Sequence, residues 1–354
     1  MDINSFDVLP LITKEKLDYI IDSISEIKIG IIGDICLDIY WKADMTKSEL
    51  SRETPHFPLP VVEEYMSPGA GGNAAANIAA LKPVVVKVIS VIGNDWRGKE
   101  LLKELANRNI DTNEIIISGD VITNTYCKPY KMGLSDLEYE DPRIDFANYR
   151  ILPEKEENEL LEKLWSAAST IDVLCVSDQF MYGCITPRVR EEIIKLAKDG
   201  LKVIVDSRDR IQLFTDVVMK PNEIEGYKAV YKDKDPRDAS LDELINAARI
   251  LSRKNNSIVC MTLGSKGCIC ADKERIVHIP AYEVEPPIDI CGAGDTFLSA
   301  FSCALTTGAT SWDAASFASI ASQVTIKKMK MTGTASSEEI KARYNQVKNS
   351  LNIK

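Results

Sequence analysis

Apolar positions at helical spacing (Leu17, Ile20, Ile21, Ile24) predict a helix within 12–26, and the apolar run Lys28-Ile-Gly-Ile-Ile-Gly33 after it reads as a buried strand. A second strand is expected over 84–92. From residue 151 onward the pattern alternates: helix 153–169, strand 172–176, helix 186–198, strand 202–205, a short strand near 217–219, helix 239–254 and strand 258–262. Strands alternating with helices imply a parallel sheet covered by helices. The C-terminal third predicts helices at 295–307, 312–327 and 336–348, the last capped by Ser336 or Ser337.

One region breaks this rhythm. Pro55, Pro58 and Pro60 punctuate residues 42–67, and Val61–Tyr65 then looks like an edge strand, where proline is tolerated. Thr123–Pro129 alternates in the strand manner. Inserts near 42–67 and 121–132 therefore predict a small β flap on one main domain spanning 1–354, able to cover a substrate and exclude water.

Composition narrows the function classes. A chain of 354 residues with 43 Lys plus Arg against 53 Asp plus Glu carries −10 and has no long basic run, so nucleic acid and anionic membrane are not expected partners. The nine cysteines are scattered without a C-x-x-C pair, which fits a reducing cytoplasm. No stretch has the apolar length of a membrane span, and the N-terminus, with Asp2 and Asp7, does not read as a signal peptide. Two isolated histidines, His56 and His278, argue against a histidine-based metal centre.

Candidate chemistry concentrates at Asp289-Ile-Cys-Gly-Ala-Gly-Asp-Thr-Phe297. Unpaired N–H groups and the positive dipole end of a helix starting near Asp295 would let Gly292, Ala293 and Gly294 cradle a phosphoryl group, with Asp295 placed to accept a proton. An N-cap Asp after a tight turn is the plainer alternative. Asp34 and Asp38, at the end of the first strand, would share a face if that strand continued. Either suits a clamp for sugar hydroxyls, or a turn residue.

Four further segments carry signals. Gly69, Gly71 and Ala74 satisfy the dinucleotide pattern G-x-G-x-x-A, but the preceding run is proline-flanked and edge-like. Gly71 and Gly72 could instead let backbone approach a ligand, with Asn73 and Asn77 offering amides one turn apart, or simply allow close helix packing. Gly93 to Lys99 matches a P-loop except that Glu100 stands where Ser or Thr should hold magnesium, so a strand-to-helix turn is expected. Asn222 and Glu225 could reach a metal-bound phosphate through water or could cap a short helix, and Thr262, Gly264 and Gly267 could line a nucleotide or make a hairpin.

Taken in order, Gly33-Asp34 with Asp38, Gly71-Gly72-Asn73, Gly93-x-Asp95-x-x-Gly98, Asn222-x-x-Glu225, Thr262-x-Gly264-x-x-Gly267 and Gly292-Ala293-Gly294-Asp295 resemble the ribokinase-like (PfkB) carbohydrate kinases over nearly the whole chain. Gly33–Trp41, Ser51-Arg52, Pro58–Val62, Arg143–Phe146, Ser177-Asp178 and Gly333–Ala335 look most like the branch that phosphorylates C1 of D-glycero-D-manno-heptose 7-phosphate. The resemblance implies an α/β fold, a three-layer α/β/α sandwich with a β-sheet lid, in a homodimer. It further implies ATP and Mg2+ as cofactors, a monovalent cation such as K+ as an open question, and a small sugar or sugar phosphate as acceptor.

On that basis Asp295 would be the base, with the Gly292, Ala293 and Gly294 amides on the transferring phosphoryl group. Asp38, Gly71, Gly72, Asn73 and Asn77 would hold the sugar, and Arg52, Arg143 and Arg208 a substrate phosphate. Asn222, Glu225, Thr262, Gly264 and Gly267 would serve the nucleotide, Asn222 and Glu225 positioning magnesium through water. Two departures stand out. Ile290 and Cys291 replace the usual Thr-Thr, and Gln179–Gly183 lacks the lysine that heptose kinases usually carry after Ser-Asp. The adenylyltransferase motif H-x-G-H of the bifunctional forms is not in this sequence. Rival expectations are a kinase of fructose, ribose or a nucleoside, a sensor without turnover, and a nicotinamide-dependent dehydrogenase.

Overall fold

The computed structural model describes residues 7–133, 135, 138–232 and 234–351. Its strands are β1 (Asp7–Val8), β2 (Lys28–Gly33), β3 (Ile35–Asp44), β4 (Val61–Ala70), β5 (Val85–Gly93), β6 (Asp111–Ser118), β7 (Thr125–Met132), β8 (Tyr139–Glu140), β9 (Ile144–Phe146), β10 (Val173–Asp178), β11 (Lys202–Ser207), β12 (Val218–Met219), β13 (Val259–Thr262), β14 (Cys268–Ala271) and β15 (Ile276–Ile279). Ten of them form one sheet in the order β1-β15-β14-β13-β12-β11-β10-β2-β5-β6. From β13 to β6 all neighbours run parallel, as the alternating pattern requires, and β14 adds antiparallel to β13 and β15.

Helices cover both faces, so strands buried on two sides carry apolar residues at successive positions rather than alternate ones. In β10, Val173 and Cys175 enter one core while Leu174 and Val176 enter the other. The first core takes Leu17, Ile20 and Ile24 of helix Lys14–Ile24, together with Phe297, Phe301, Phe317 and Ile340 of the C-terminal helices. Helices Glu154–Ala168, Pro187–Lys198, Glu223–Val230 and Leu241–Asn255 close the second. This is the expected three-layer α/β/α arrangement.

A second sheet of five strands, β4-β3-β7-β8 with β9 also on β7, projects from the first. It is larger than the two inserts expected near 42–67 and 121–132, because residues 35–41, 68–70, 139–140 and 144–146 also belong to it. The cause lies at Gly33, where φ is +142° and a Cβ would sit 2.1 Å from the Ser177 carbonyl oxygen. There the chain leaves β2 and starts β3 within two residues. The expectation that Asp34 and Asp38 lie on one continued strand is thereby corrected: Asp34 falls in the gap and Asp38 on the small sheet. The return crossing, from Ala70 into helix Gly71–Ala80, is tied to the outgoing one by the Gly71 N–H, which donates to the Asp34 carbonyl at 2.8 Å.

Candidate active site

Helix Ala293–Thr306 starts two residues earlier than the sequence pattern suggests. Gly292 is its N-cap in a left-handed conformation (φ +77°), so Asp295 lies inside the first turn and is not the cap. Its carboxylate is aimed across at helix Gly71–Ala80, where Asn73 Nδ2 donates to Asp295 Oδ2 at 2.7 Å. Asn77, one turn on, donates to the Asn73 carbonyl (3.0 Å) and side-chain oxygen (3.2 Å) and accepts from Thr296 Oγ1 (2.9 Å). Ser299 Oγ donates to the Ala74 carbonyl at 2.9 Å, so the two helices are stitched together on both sides of the acid.

Burial pushes the Asp295 carboxyl up to about 7; Asn73 and Lys220 pull it down, and Asp206 and Asp38 push it up further. A carboxyl poised near neutrality in a dry site can take up a proton and release it again at working pH.

Asp38 on β3 is buried and faces the same region. Its Oδ2 accepts from Lys128 Nζ at 3.0 Å; Lys128 is the β7 neighbour of Tyr40 and also donates to the Tyr40 hydroxyl at 3.0 Å. Gly69 on β4 leaves the space: a Cβ there would lie 2.5 Å from Asp38 Oδ1. Gly71 and Gly72 serve packing, since Cβ atoms would meet the Asp34 carbonyl (2.8 Å) and Pro68 (2.9 Å) respectively. The dinucleotide-like pattern lies where β4, an edge strand antiparallel to β3, enters a helix, which is not the βαβ context that fingerprint needs.

Asp34, one of two candidate clamps, is structural. Its carboxylate accepts the amides of Gln179 and Phe180 (2.8 and 2.7 Å) and of Cys184 (2.8 Å), while burial lifts its proton affinity to about 6 against those bonds. Asp178 is likewise engaged, receiving Ser207 Oγ at 2.6 Å and the Arg210 guanidinium. The P-loop-like segment is a helix start: Asp95 caps helix Trp96–Ala106 by accepting from Gly98 N, and a Cβ on Gly98 would lie 2.4 Å from the Gly93 carbonyl oxygen.

On the far side of Asp295, Asn222 and Glu225 form a capping box, each side chain accepting the other's backbone N–H at 2.8 Å. The capping alternative is thus realised, and it leaves the second Glu225 oxygen with no hydrogen-bond donor among the described residues. Burial and Asp206 raise Glu225 to about 7, while Lys220 pulls it down. Thr262 ends β13 in a bridge to Asn222, and Gly264 and Gly267, both at positive φ, turn the chain into β14. Between the acids sits a buried pair that sequence reasoning did not assign, Lys220 Nζ to Asp206 Oδ2 at 3.3 Å. Burial works against the Lys220 charge, but Asp206, Glu225 and Asp295 outweigh it, so its proton affinity ends above the ordinary value.

Of the three candidate arginines, Arg143 packs on the small sheet. Arg143 stacks 3.9 Å from the Tyr126 ring centroid and is bidentate with Asp145 (2.6 and 2.8 Å). Arg208 follows β11, and both cations act on the Tyr126 hydroxyl, which burial raises to about 12. Tyr126 is the β7 partner of Asp38. Arg52 is exposed in the loop between β3 and β4 and has no hydrogen-bond or ion-pair partner among the described residues.

Lys128, Asp206 and Lys220, buried beside the candidate residues, carried no mark in the sequence reading. The available signal was positional: Asp206 is in the last two residues of β11 and Lys220 directly follows β12, at the strand C-terminal ends where open α/β sheets bind ligands. No group of three or more His, Cys, Asp or Glu among the described residues could hold a metal ion directly.

A ribokinase fold with a buried carboxylate at a glycine-started helix defines a phosphotransferase with an alcohol group as acceptor. Residues 32–339 match the pfkB family carbohydrate kinase model, and the chain belongs to that family. It is 29% identical over 337 residues to the bifunctional protein HldE of Hyphomonas neptunium, covering 92% of this chain and 65% of the relative. It is also 29% identical over 327 residues to HldE of Helicobacter pylori strain J99, covering 90% and 66%. The chain therefore spans just under two thirds of these relatives. Among solved structures it resembles Escherichia coli phosphofructokinase-2 in complex with substrates and products (TM-score 0.70, 20% identity, 91% and 99% covered). Arabidopsis thaliana ribokinase complexed with ribose and ATP is similar too (TM-score 0.67, 18% identity, 90% and 99% covered). At these identities the structures speak for the fold. Kinase membership implies ATP and Mg2+ in general. Among the described residues no helix is long and apolar enough to cross a membrane.

Proposed function

We propose that this chain transfers the γ-phosphate of ATP to a sugar-phosphate hydroxyl, with C1 of D-glycero-D-manno-heptose 7-phosphate as the leading acceptor. The observation that carries the reading is Asp295: a buried carboxyl near neutrality, fixed by Asn73 at the start of a helix whose Gly294 and Asp295 N–H groups have no hydrogen-bond partner among the described residues, while that of Ala293 donates to the Ile290 carbonyl at 3.2 Å. Asp295 takes the acceptor proton as the oxygen attacks, and the Gly292–Gly294 backbone stabilises the phosphoryl group in flight. Asp38, Asn73 and Asn77 hold the sugar, and the small sheet acts as a lid.

Lys220 meets the nucleotide phosphates, and Glu225 with Asn222 orients magnesium through water. Magnesium, when bound, neutralises phosphate charge. The donor set fits it: an acid with one uncommitted oxygen beside a buried lysine suits an ion carried by phosphates and water. Thr262, Gly264 and Gly267 border the same region. Arg143 and Arg208 receive the acceptor's own phosphate, which supports a phosphorylated sugar.

One observation favours a neutral sugar instead. Arg143 already spends two donors on Asp145, and the 179–183 loop supplies no lysine. ATP consumption against heptose 7-phosphate, fructose, fructose 6-phosphate, ribose and adenosine, with Asp295→Asn as blank, decides. Turnover confined to heptose 7-phosphate upholds the assignment. Turnover of a neutral sugar alone keeps the kinase and discards the phosphate site.

A further inference from the structure

Lys128 is buried at the centre of the small sheet's inner face, where nothing in the sequence marked it. Two of its three N–H donors are fixed at 3.0 Å, on Asp38 Oδ2 and on the Tyr40 hydroxyl, and the ammonium lies 4.6 Å from the Tyr40 ring centroid. The third faces the Cys291 sulfur at 3.9 Å, a weak acceptor. Cys291 directly precedes Gly292, a Cβ on Gly292 would lie 2.8 Å from Asn73 Nδ2, and Asn73 holds Asp295 at 2.7 Å. A continuous line of contacts therefore runs from the Asp38–Lys128 pair to the acid proposed as base.

The chemistry of the pair selects its ligand. An ionised carboxylate only accepts and an ammonium only donates, whereas a hydroxyl does both. We propose that Lys128 and Asp38 together bind the acceptor hydroxyl adjacent to the one phosphorylated, Asp38 taking its hydrogen bond and Lys128 donating to its oxygen. This rests on Asp295 being the base, which places the reacting hydroxyl beside the pair. The acceptor class is then a polyol or sugar with a free hydroxyl on the carbon next to the reacting one. A methylene there supplies neither the donor for the remaining Asp38 lone pairs nor the acceptor for the third Lys128 N–H, and sites built to hydrogen-bond a hydroxyl discriminate against an analogue that lacks it.

The test compares wild type, Lys128→Met and Lys128→Arg on heptose 7-phosphate and its 2-deoxy analogue, with ATP varied separately. Wild type should prefer the parent sugar by about 10²-fold or more in kcat/KM. Lys128→Met should lose most of that preference while KM for ATP stays put, and Lys128→Arg should recover part of it. A purely structural role would depress both acceptors equally and keep the ratio, which overturns the proposal, as does a change confined to KM for ATP. If wild type turns over another sugar of the panel instead, the heptose reading fails and the deoxy comparison moves to that sugar.

A substrate-free readout stands beside it. Cys291 is the one exposed cysteine among the described residues, with Asp38, Asp289 and Asp295 as the acids around it and Lys128 as the cation. At fixed pH, iodoacetamide should label Cys291 several-fold more slowly in Lys128→Met, because the lost ammonium no longer favours the thiolate. Equal rates would show that Lys128 does not reach the catalytic loop.

Discussion

Asn73 and Asp295 are 222 residues apart in sequence and 2.7 Å apart in space, an amide N–H donated to a buried carboxylate. That bond favours the ionised acid, so removing it should raise the proton affinity of Asp295. Asn73→Ala is expected to move the acidic limb of kcat/KM upward by about one pH unit, since a hydrogen bond to a charged group contributes roughly 1.5–3 kcal/mol. A pH–rate profile between pH 5.5 and 9 checks this. An unmoved limb would assign it to a different group.

Stability should run against activity at the same carboxyl. Asp295 holds its proton up to about pH 7 in the folded chain, well above its ordinary value of 3.8. The folded state's advantage from this group is therefore complete below the unfolded value and is lost as pH rises through about 7. Asn stays neutral throughout and can still accept from Asn73. Asp295→Asn should gain on wild type as pH rises, the difference widening by about 2 kcal/mol, a few degrees in Tm, between pH 5.5 and 8.5, because wild type loses about 1.4 kcal/mol per pH unit up to about pH 7. Its kcat should meanwhile fall by about 10²–10⁴-fold with ATP binding retained. Thermal melts at both pH values, beside steady-state rates, read both halves.

Gly292→Ala tests the backbone of the turn. At φ +77° an L side chain is strained by roughly 1–2 kcal/mol, and the new Cβ would lie 2.8 Å from Asn73 Nδ2, forcing that amide off Asp295. The expected result is a kcat at least about 10-fold lower, since small misplacements of catalytic groups are costly. Gly119→Ala, outside this turn, is the control, because its Cβ meets nothing within 4 Å.

Asp34 should matter for folding before chemistry. Truncation to Ala leaves three amides, those of Gln179, Phe180 and Cys184, without their acceptor. With about 1–3 kcal/mol for each orphaned buried donor, Asp34→Ala should lose on the order of 3–6 kcal/mol, and Asp34→Asn less, because one oxygen remains. Urea denaturation of the two variants separates these costs.

The helices and core strands were legible because burial on both sheet faces writes a local period into the chain: helix 186–198 was expected and Pro187–Lys198 is found. The glycine-led helix start at Gly292–Asp295 was legible as a local pattern, whereas the bond from Asn73 to Asp295 was not, since it joins two helices 222 residues apart. Lys128 was not, since its meaning depends on Asp38, 90 residues away across a strand pairing that no local pattern specifies. Asp206 and Lys220 hid for the same reason: each is ordinary alone and becomes a site only as a buried pair. Arg143 stacks on Tyr126, whereas Arg52 is exposed in the loop between β3 and β4, a difference that no local pattern foretells.

The tie between the two crossings, Gly71 N–H to the Asp34 carbonyl, makes the junction of the sheets a fulcrum. At about 3.3 Å per residue, Asp38 stands roughly 13 Å out along β3 and its end at Asp44 roughly 33 Å. A rigid tilt of ~10° would carry the tip ~6 Å but Asp38 only ~2 Å. Leverage of this kind separates two duties within a single strand. On the proposed reading, the outer half would sweep open to admit an acceptor while the inner half, with Asp38, would stay within adjustment distance of it.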